Sequence, residues 1–189
     1  ELSGLSKKFC LDANLKVSPF TFFKELLRDQ GLSLGRYDSR LLAKEETKIG
    51  NQQANDPSDD AITPPFLSTV SSYLNQTLGV KTNLEYHVFG PVRPWTEQQG
   101  SYSETASDLR NVLSANKHLR VLYMCGYYDM ACPFYATIYS VNQMGLDAET
   151  RSRISYAYYP AGHMMYTEKG SRAKFHSDAK KFVEECLRG

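Results

Sequence analysis

Two titratable side chains stand where a sheet-and-helix protein can do acid–base chemistry. Asp129 follows the apolar run Val121-Leu-Tyr-Met-Cys125 by way of Gly126, and His163 follows Ile154-Ser-Tyr-Ala-Tyr-Tyr159 by way of Gly162. Delivered together, an imidazole can take a proton from a nucleophile and return it to a leaving group. The carboxylate then fixes the imidazole tautomer and stabilises its charged form. Both groups need rigid supports for this, and the C-terminal ends of neighbouring strands provide them. Singly, each residue has an ordinary explanation: an Asp after a strand is a common turn former, and a loop histidine is commonly structural. The weight lies in the joint placement, with a glycine ahead of each and a single crossover between them. His87, His118 and His176 have no comparable setting and read as structural or solvated.

The elements that must position this pair are legible around it. Leu119 to Cys125 is continuous, apolar and too short for a surface helix, the pattern of a strand covered on both faces. A helix predicted from about Pro133 to Met144 ends at Gly145, and Ile154 to Tyr159 returns as the next strand. Strand, helix, strand in this order makes a right-handed crossover with parallel strands. The last helix, from near Ser171, is expected to bury Phe175, Ala179, Phe182, Val183 and Cys186 at spacings of three and four.

Residues 1–17 yield no element, and Ser18-Pro19 then opens a helix as N-cap and first helical residue. Phe22, Phe23, Leu26 and Leu27 form its apolar stripe, and Gly31 closes it. Leu32 to Thr63 is polar and reads as a long excursion, a cap loop or lid. Pro64-Pro65 ends that excursion, and Phe66, Val70, Tyr73, Leu74 and Leu78 recur at helical spacing up to Gly79. Tyr86 to Phe89 reads as a short extended run before turns at Gly90-Pro91 and Arg93-Pro94-Trp95. Ser101 and Glu104 have capping-box spacing ahead of a helical face built from Ala106, Leu109, Val112 and Leu113 and ending near Asn116.

The expected class is α/β, with residues 1–116 a mostly helical cap region and residues 117–189 the core that carries Asp129 and His163. Two parallel strands alone are awkward, because parallel sheets are normally covered on both sides and an isolated pair leaves two open edges. The chain therefore reads as part of a larger sheet whose remainder lies on a partner polypeptide or on a segment outside these residues.

Composition narrows the partners. The 189 residues carry 22 basic and 21 acidic side chains for a formal net charge of +1, with no basic block, which argues against nucleic acid and anionic membranes. No apolar run approaches a membrane span, and the first residues do not show a charged leader with an apolar core and small-residue cleavage site, a pattern that a fragment boundary at Glu1 would hide. Cys10, Cys125, Cys132 and Cys186 have no CxxC spacing and no neighbouring histidine set suited to zinc, so no metal site is expected. Cys125 and Cys186 read as buried small hydrophobes; an even count permits two disulfides, but spacing does not pair them. Asn75-Gln-Thr77 matches a glycosylation acceptor, a triplet that also occurs by chance.

A nucleophile has to be sought explicitly. Gly31-Leu-Ser33-Leu-Gly35 fits a GxSxG elbow and precedes Asp129 and His163 in the order that α/β-hydrolases use. Its surroundings do not fit, since an elbow needs a buried strand before the serine and a helix after it. Here a helix precedes Gly31, which is better explained as that helix's left-handed cap.

Gly126-Tyr-Tyr-Asp129-x-x-Cys132-Pro133 and Ala161-Gly162-His163-Met-Met-Tyr166 resemble the acid and histidine segments of the serine carboxypeptidase family. Those enzymes are α/β-hydrolases that remove C-terminal residues from peptides, and their bacterial branch carries a GRxDSR string like Gly35 to Arg40. The resemblance runs from about Ser18 to the C-terminus. It implies that Asp129 and His163 are catalytic, and that Cys132 and Met164 border the pocket for the departing residue. A peptide substrate, no cofactor and a secreted or periplasmic location follow from it too. The family's nucleophilic serine and its oxyanion and carboxylate-recognition groups lie in an N-terminal half that these residues do not contain, so the chain alone is expected to be inactive. Arg36, Asp38 and Arg40 read as an ion-paired turn. An acyltransferase or lyase on the same scaffold, or a non-catalytic binding module, would fit the same residues.

Overall fold

The structure is a computed structural model that describes residues 3–88, 90 and 104–188. Ser101 of the expected capping box, Phe89, Pro91 and Arg93-Pro94-Trp95 lie outside the described residues. The fold is mixed α/β and comprises two compact units. One holds residues 1–35 and 41–102; the other holds residues 36–40 and 103–189. The helix ending near Asn116 and the segment 36–40 thus pack with the core that carries Asp129 and His163.

In the first unit, α1 (Lys7–Asp12) is a short helix that the sequence pattern missed, capped by Ser6, whose Oγ accepts from Phe9 N at 3.1 Å. Helix α2 (Pro19–Glu25) starts as expected, with Ser18 Oγ accepting from Thr21 N at 3.1 Å and Pro19 in the first turn. A 3₁₀ turn (Arg28–Gln30) continues it, and Gly31 closes the run in the left-handed region at φ 68°. The excursion after Gly31 is more ordered than its polarity implies. Strands β1 (Leu32–Leu34) and β2 (Leu42–Lys44) pair antiparallel, Leu32 opposite Lys44 and Leu34 opposite Leu42. Lys24 of α2 is buried against this hairpin, ion-paired to Glu45 at 3.0 Å and donating to Ile49 O at 3.0 Å.

Helix α3 (Pro57–Ser72) corrects the boundary at Pro64-Pro65, because the prolines lie inside the helix and do not end a loop. Asp56 caps its start by accepting from Ser58 N at 2.9 Å, Pro57 fits the first turn, and Asp59 and Asp60 complement the helix dipole. Both interior prolines are exposed, so carbonyls freed from the helical ladder can be met by solvent. A π-helical turn (Tyr73–Thr77) follows, and Phe66, Tyr73 and Leu78 of the expected apolar stripe are exposed.

The second unit matches its sequence pattern closely. Helix α4 (Ala106–Ala115) leads into β3 (Val121–Gly126), then α5 (Phe134–Gln143), a short α6 (Ala148–Ser152), β4 (Ile154–Tyr159) and α7 (Lys169–Arg188). Strands β3 and β4 are parallel, with Val121 opposite Ile154 and Gly126 opposite Tyr159. Side chains alternate between two covered faces. Val121, Tyr123, Ile154 and Tyr156 pack with Leu113 of α4 and with Val141 and Met144 at α5, whereas Leu122, Met124, Ala157 and Tyr159 pack with Ala161, Met165 and Phe175 of α7. Tyr159 is fully buried and donates to Asp178 at 2.9 Å, which ties α7 to the sheet. Arg153 closes the C-terminal end of α4: its guanidinium donates to the carbonyls of Leu113 at 2.8 Å, Asn116 at 2.7 Å and Leu119 at 3.2 Å. Along α7, Phe175, Ala179, Phe182 and Cys186 are half-buried, but Val183 is exposed, contrary to the expected stripe. Among the described residues no helix is long and apolar enough to cross a membrane.

Candidate functional site

Asp129 and His163 meet at the C-terminal ends of β3 and β4, 34 residues apart in sequence, with Asp129 Oδ2 lying 2.8 Å from His163 Nδ1. The loop after β3 turns because Asp129 also binds its own backbone. Its Oδ1 accepts from Ala131 N at 2.8 Å and Cys132 N at 2.9 Å. The turn-forming role and the imidazole-orienting role are therefore played by one carboxylate, one oxygen for each. Asp129 is 5% exposed, whereas the His163 side chain is 40% exposed. A buried carboxylate thus holds an imidazole that solvent can reach.

Two glycines permit this approach. A Cβ on Gly126 would collide with the carbonyls of Ala161 and Gly162, and a Cβ on Gly162 would collide with Tyr37 O. Backbone thus passes close to backbone at both glycines, at Gly126 where the acid loop meets the histidine loop and at Gly162 where the histidine loop meets residues 37–38. Tyr127 N donates to Tyr159 O at 2.9 Å and Tyr128 N to Ala161 O at 3.1 Å, stitching the acid loop to the histidine loop.

Residues 36–40 bind both loops from one side. His163 N donates to Tyr37 O at 2.6 Å, Met130 N to Arg36 O at 3.0 Å, and Ser39 N to Tyr128 O at 2.9 Å. Arg40 holds Asp38 through two guanidinium bonds, Nε to Oδ1 at 2.9 Å and Nη2 to Oδ2 at 2.6 Å, and it donates to Pro160 O at 3.0 Å while lying over the Tyr128 ring. Burial pushes the Asp38 carboxyl up, and its bonds from Arg40 more than reverse that, holding it below the ordinary range. The ion-paired turn is therefore present, and it braces the backbone beneath the imidazole. Its extent was not readable from GRYDSR, because the braced loops lie some ninety and more residues further along the sequence.

The Asp129 hydrogen bond raises the His163 pKa above its ordinary value, outweighing partial burial and the charge of Arg36. Cys132, exposed, has its thiol pKa raised, chiefly by burial of the sulfur's surroundings and then by the Asp129 charge. It lies at the edge of a cavity of about 500 Å³ whose walls include Leu109, Tyr123, Pro133, Ala136 and Met144. Met164 is half-buried next to His163. The four cysteines are unpaired thiols.

Ser33 does not sit in an elbow. It lies within β1, fully buried, and β1 leads into a hairpin where an elbow would need a helix. His87, His118 and His176 are exposed, as expected for solvated residues. The structure does bring together a set that cysteine spacing failed to reveal: Asp129, Cys132 and His163 offer an oxygen, a sulfur and a nitrogen all within 4.8 Å of one another. No protein-family model, no curated protein and no solved structure matches the chain.

Proposed function

We propose that this chain supplies the acid and the histidine of a serine-hydrolase triad, on the C-terminal portion of an α/β-hydrolase similar to the serine carboxypeptidases. The observation that carries the reading is the 2.8 Å bond between Asp129 Oδ2 and His163 Nδ1 at the ends of adjacent parallel strands. With Nδ1 held by the carboxylate, Nε2 is the nitrogen left to take a proton from a serine hydroxyl and pass it to the departing group. The nucleophile lies on polypeptide outside residues 1–189, and hydrolysis runs through an acyl-serine intermediate. The cavity beside Cys132 fits a side chain of the departing residue, with Met164 on the histidine's flank. A secreted or periplasmic location belongs to the same reading.

The test is fluorophosphonate labelling of the chain together with any polypeptide that co-purifies with it, read by intact mass. A label on a serine outside residues 1–189 is the expected result, followed by release of C-terminal amino acids from N-blocked dipeptides. A label on Ser33 would place the nucleophile inside the chain and overturn the two-part arrangement. No label on a folded complex removes the hydrolase reading. Transfer from an activated ester without dipeptide cleavage would convert the assignment to an acyltransferase on the same scaffold.

A further inference from the structure

The loops that pair Asp129 with His163 also deliver Cys132, and the three donors span at most 4.8 Å. One thiolate, one imidazole and one carboxylate form a set that zinc-class ions accept, whereas magnesium and calcium take oxygen ligands. With Zn–S of about 2.3 Å and Zn–N of about 2.0–2.1 Å, a tetrahedral site places sulfur and nitrogen about 3.5 Å apart. The required contraction is at most about 1.3 Å, from the 4.8 Å bound to about 3.5 Å, within the reach of a rotation about the Cα–Cβ bond of Cys132. The exposed thiol is free to make that movement, while its backbone N–H stays fixed on Asp129 Oδ1.

We propose that Asp129, Cys132 and His163 form a binding site for a zinc-class divalent cation, a site that competes with the proton-handling role of the histidine. On binding, the Cys132 S–H bond breaks, its proton goes to solvent and an S–metal bond forms. The hydrogen bond between His163 Nδ1 and Asp129 Oδ2 opens, the Nδ1 proton is exchanged through solvent to Nε2, and the neutral imidazole then ligates through Nδ1 beside Asp129 Oδ2, while Oδ1 keeps its two backbone bonds. Thiolate and carboxylate bring two negative charges. Arg36, whose positive charge acts on both Cys132 and His163, offsets one of them. The site therefore remains net attractive to a dication. Binding stands on the geometry alone; only its inhibitory consequence rests on the hydrolase reading.

The experiment titrates the 189-residue chain with Co²⁺ and follows the near-ultraviolet thiolate-to-metal absorption, with Zn²⁺ added as competitor and circular dichroism as the fold control. Expected is a one-to-one cobalt spectrum with thiolate character that Zn²⁺ abolishes. Cys132→Ser and His163→Gln should each weaken Zn²⁺ binding by about tenfold or more, the range over which even supporting groups alter metal affinity. Should His163→Gln fail to fold, Cys132→Ser, a change at an exposed position, decides alone. Absence of thiolate absorption, or Zn²⁺ affinity unchanged in folded Cys132→Ser, overturns the site. Fluorophosphonate labelling of the complex then separates the two ideas. Zn²⁺ binding that leaves labelling intact refutes the inhibitory role, and labelling without any Zn²⁺ binding refutes the site while leaving the hydrolase reading.

Discussion

Asp129 divides its two oxygens between a turn and an imidazole, and this makes Asp129→Asn an informative substitution. The carboxamide oxygen can still accept from Ala131 and Cys132, but its NH₂ group then faces His163 Nδ1 and requires that nitrogen to be an acceptor. The turn should survive while the tautomer changes. Losing the acid's charge in a working triad costs about 10⁴ in turnover, and that is the loss the proposed hydrolase reading predicts. In this chain alone, the His163 ring resonances should titrate at lower pH in the variant, because the hydrogen bond that raises the pKa is gone. The sign for stability follows from linkage: the folded pKa lies above the unfolded one. The pair's contribution is therefore full below the ordinary histidine value and fades as pH rises through the raised value. The proposed hydrolysis needs the neutral imidazole, so that reading predicts an acidic limb of the pH–rate profile above the ordinary histidine pKa. NMR titration of wild type and variant checks the shift, urea unfolding across pH checks the stability trend, and the pH–rate profile of the complex checks the acidic limb.

Arg153 shows why the helices hold their places. Its guanidinium answers carbonyls left open at the end of α4, and it stands immediately before β4, so one side chain joins helix to strand. Arg153→Met keeps the aliphatic stem and removes the donors. Hydrogen bonds to charged groups contribute roughly 1.5–3 kcal/mol each, and water can replace some of them here, so a loss of about 2 kcal/mol from the second unit is expected. Urea unfolding measures it, and an unchanged midpoint would refute the capping role. The sequence showed these elements well where burial on both faces imposes continuous apolar runs, as in β3 and β4, or where Ser18-Pro19 and Gly31 punctuate a helix. It failed at the β1–β2 hairpin, whose strands of three residues are too short for any period to register. It also misplaced the start of α3, because Pro64-Pro65 reads as the close of the polar excursion, whereas the helix starts at a capped first turn at Asp56 and carries both prolines on its exposed side. Asp129 and His163 were legible because each follows a strand and a glycine. The brace at residues 36–40 and the approach of Cys132 were not, being contacts between segments remote in sequence.

Among the described residues, the parallel pair β3–β4 has a directional edge to which no further strand is paired. Val121 N donates to Arg153 O at 3.0 Å and Tyr127 N to Tyr159 O at 2.9 Å, so odd-numbered amides of β3 point toward β4. By alternation, the amides of Leu122 and Met124 point the other way. Amide hydrogen exchange on the chain alone should therefore alternate along β3, with Tyr123 and Cys125 protected and Leu122 and Met124 exchanging faster. If a further strand completes the sheet in the assembled protein, as the proposed function requires, those two amides become protected in the complex. Uniform protection in the chain alone would show the edge already covered, for instance by a second copy. Exposed apolar residues on and after α3, among them Phe66, Leu67 and Leu78, add to the surface that such a chain must keep from sticking.

The five residues from Arg36 to Arg40 belong with a unit whose remaining members begin at position 103. The imidazole loop is therefore held partly by a segment remote from it in sequence: Tyr37 O must close a loop of more than a hundred residues onto His163 N. Closing that contact costs more loop entropy than joining Asp129 to His163, which lie 34 residues apart. A gene truncated to start at residue 103 would encode both chemical groups yet lack the strap that secures them.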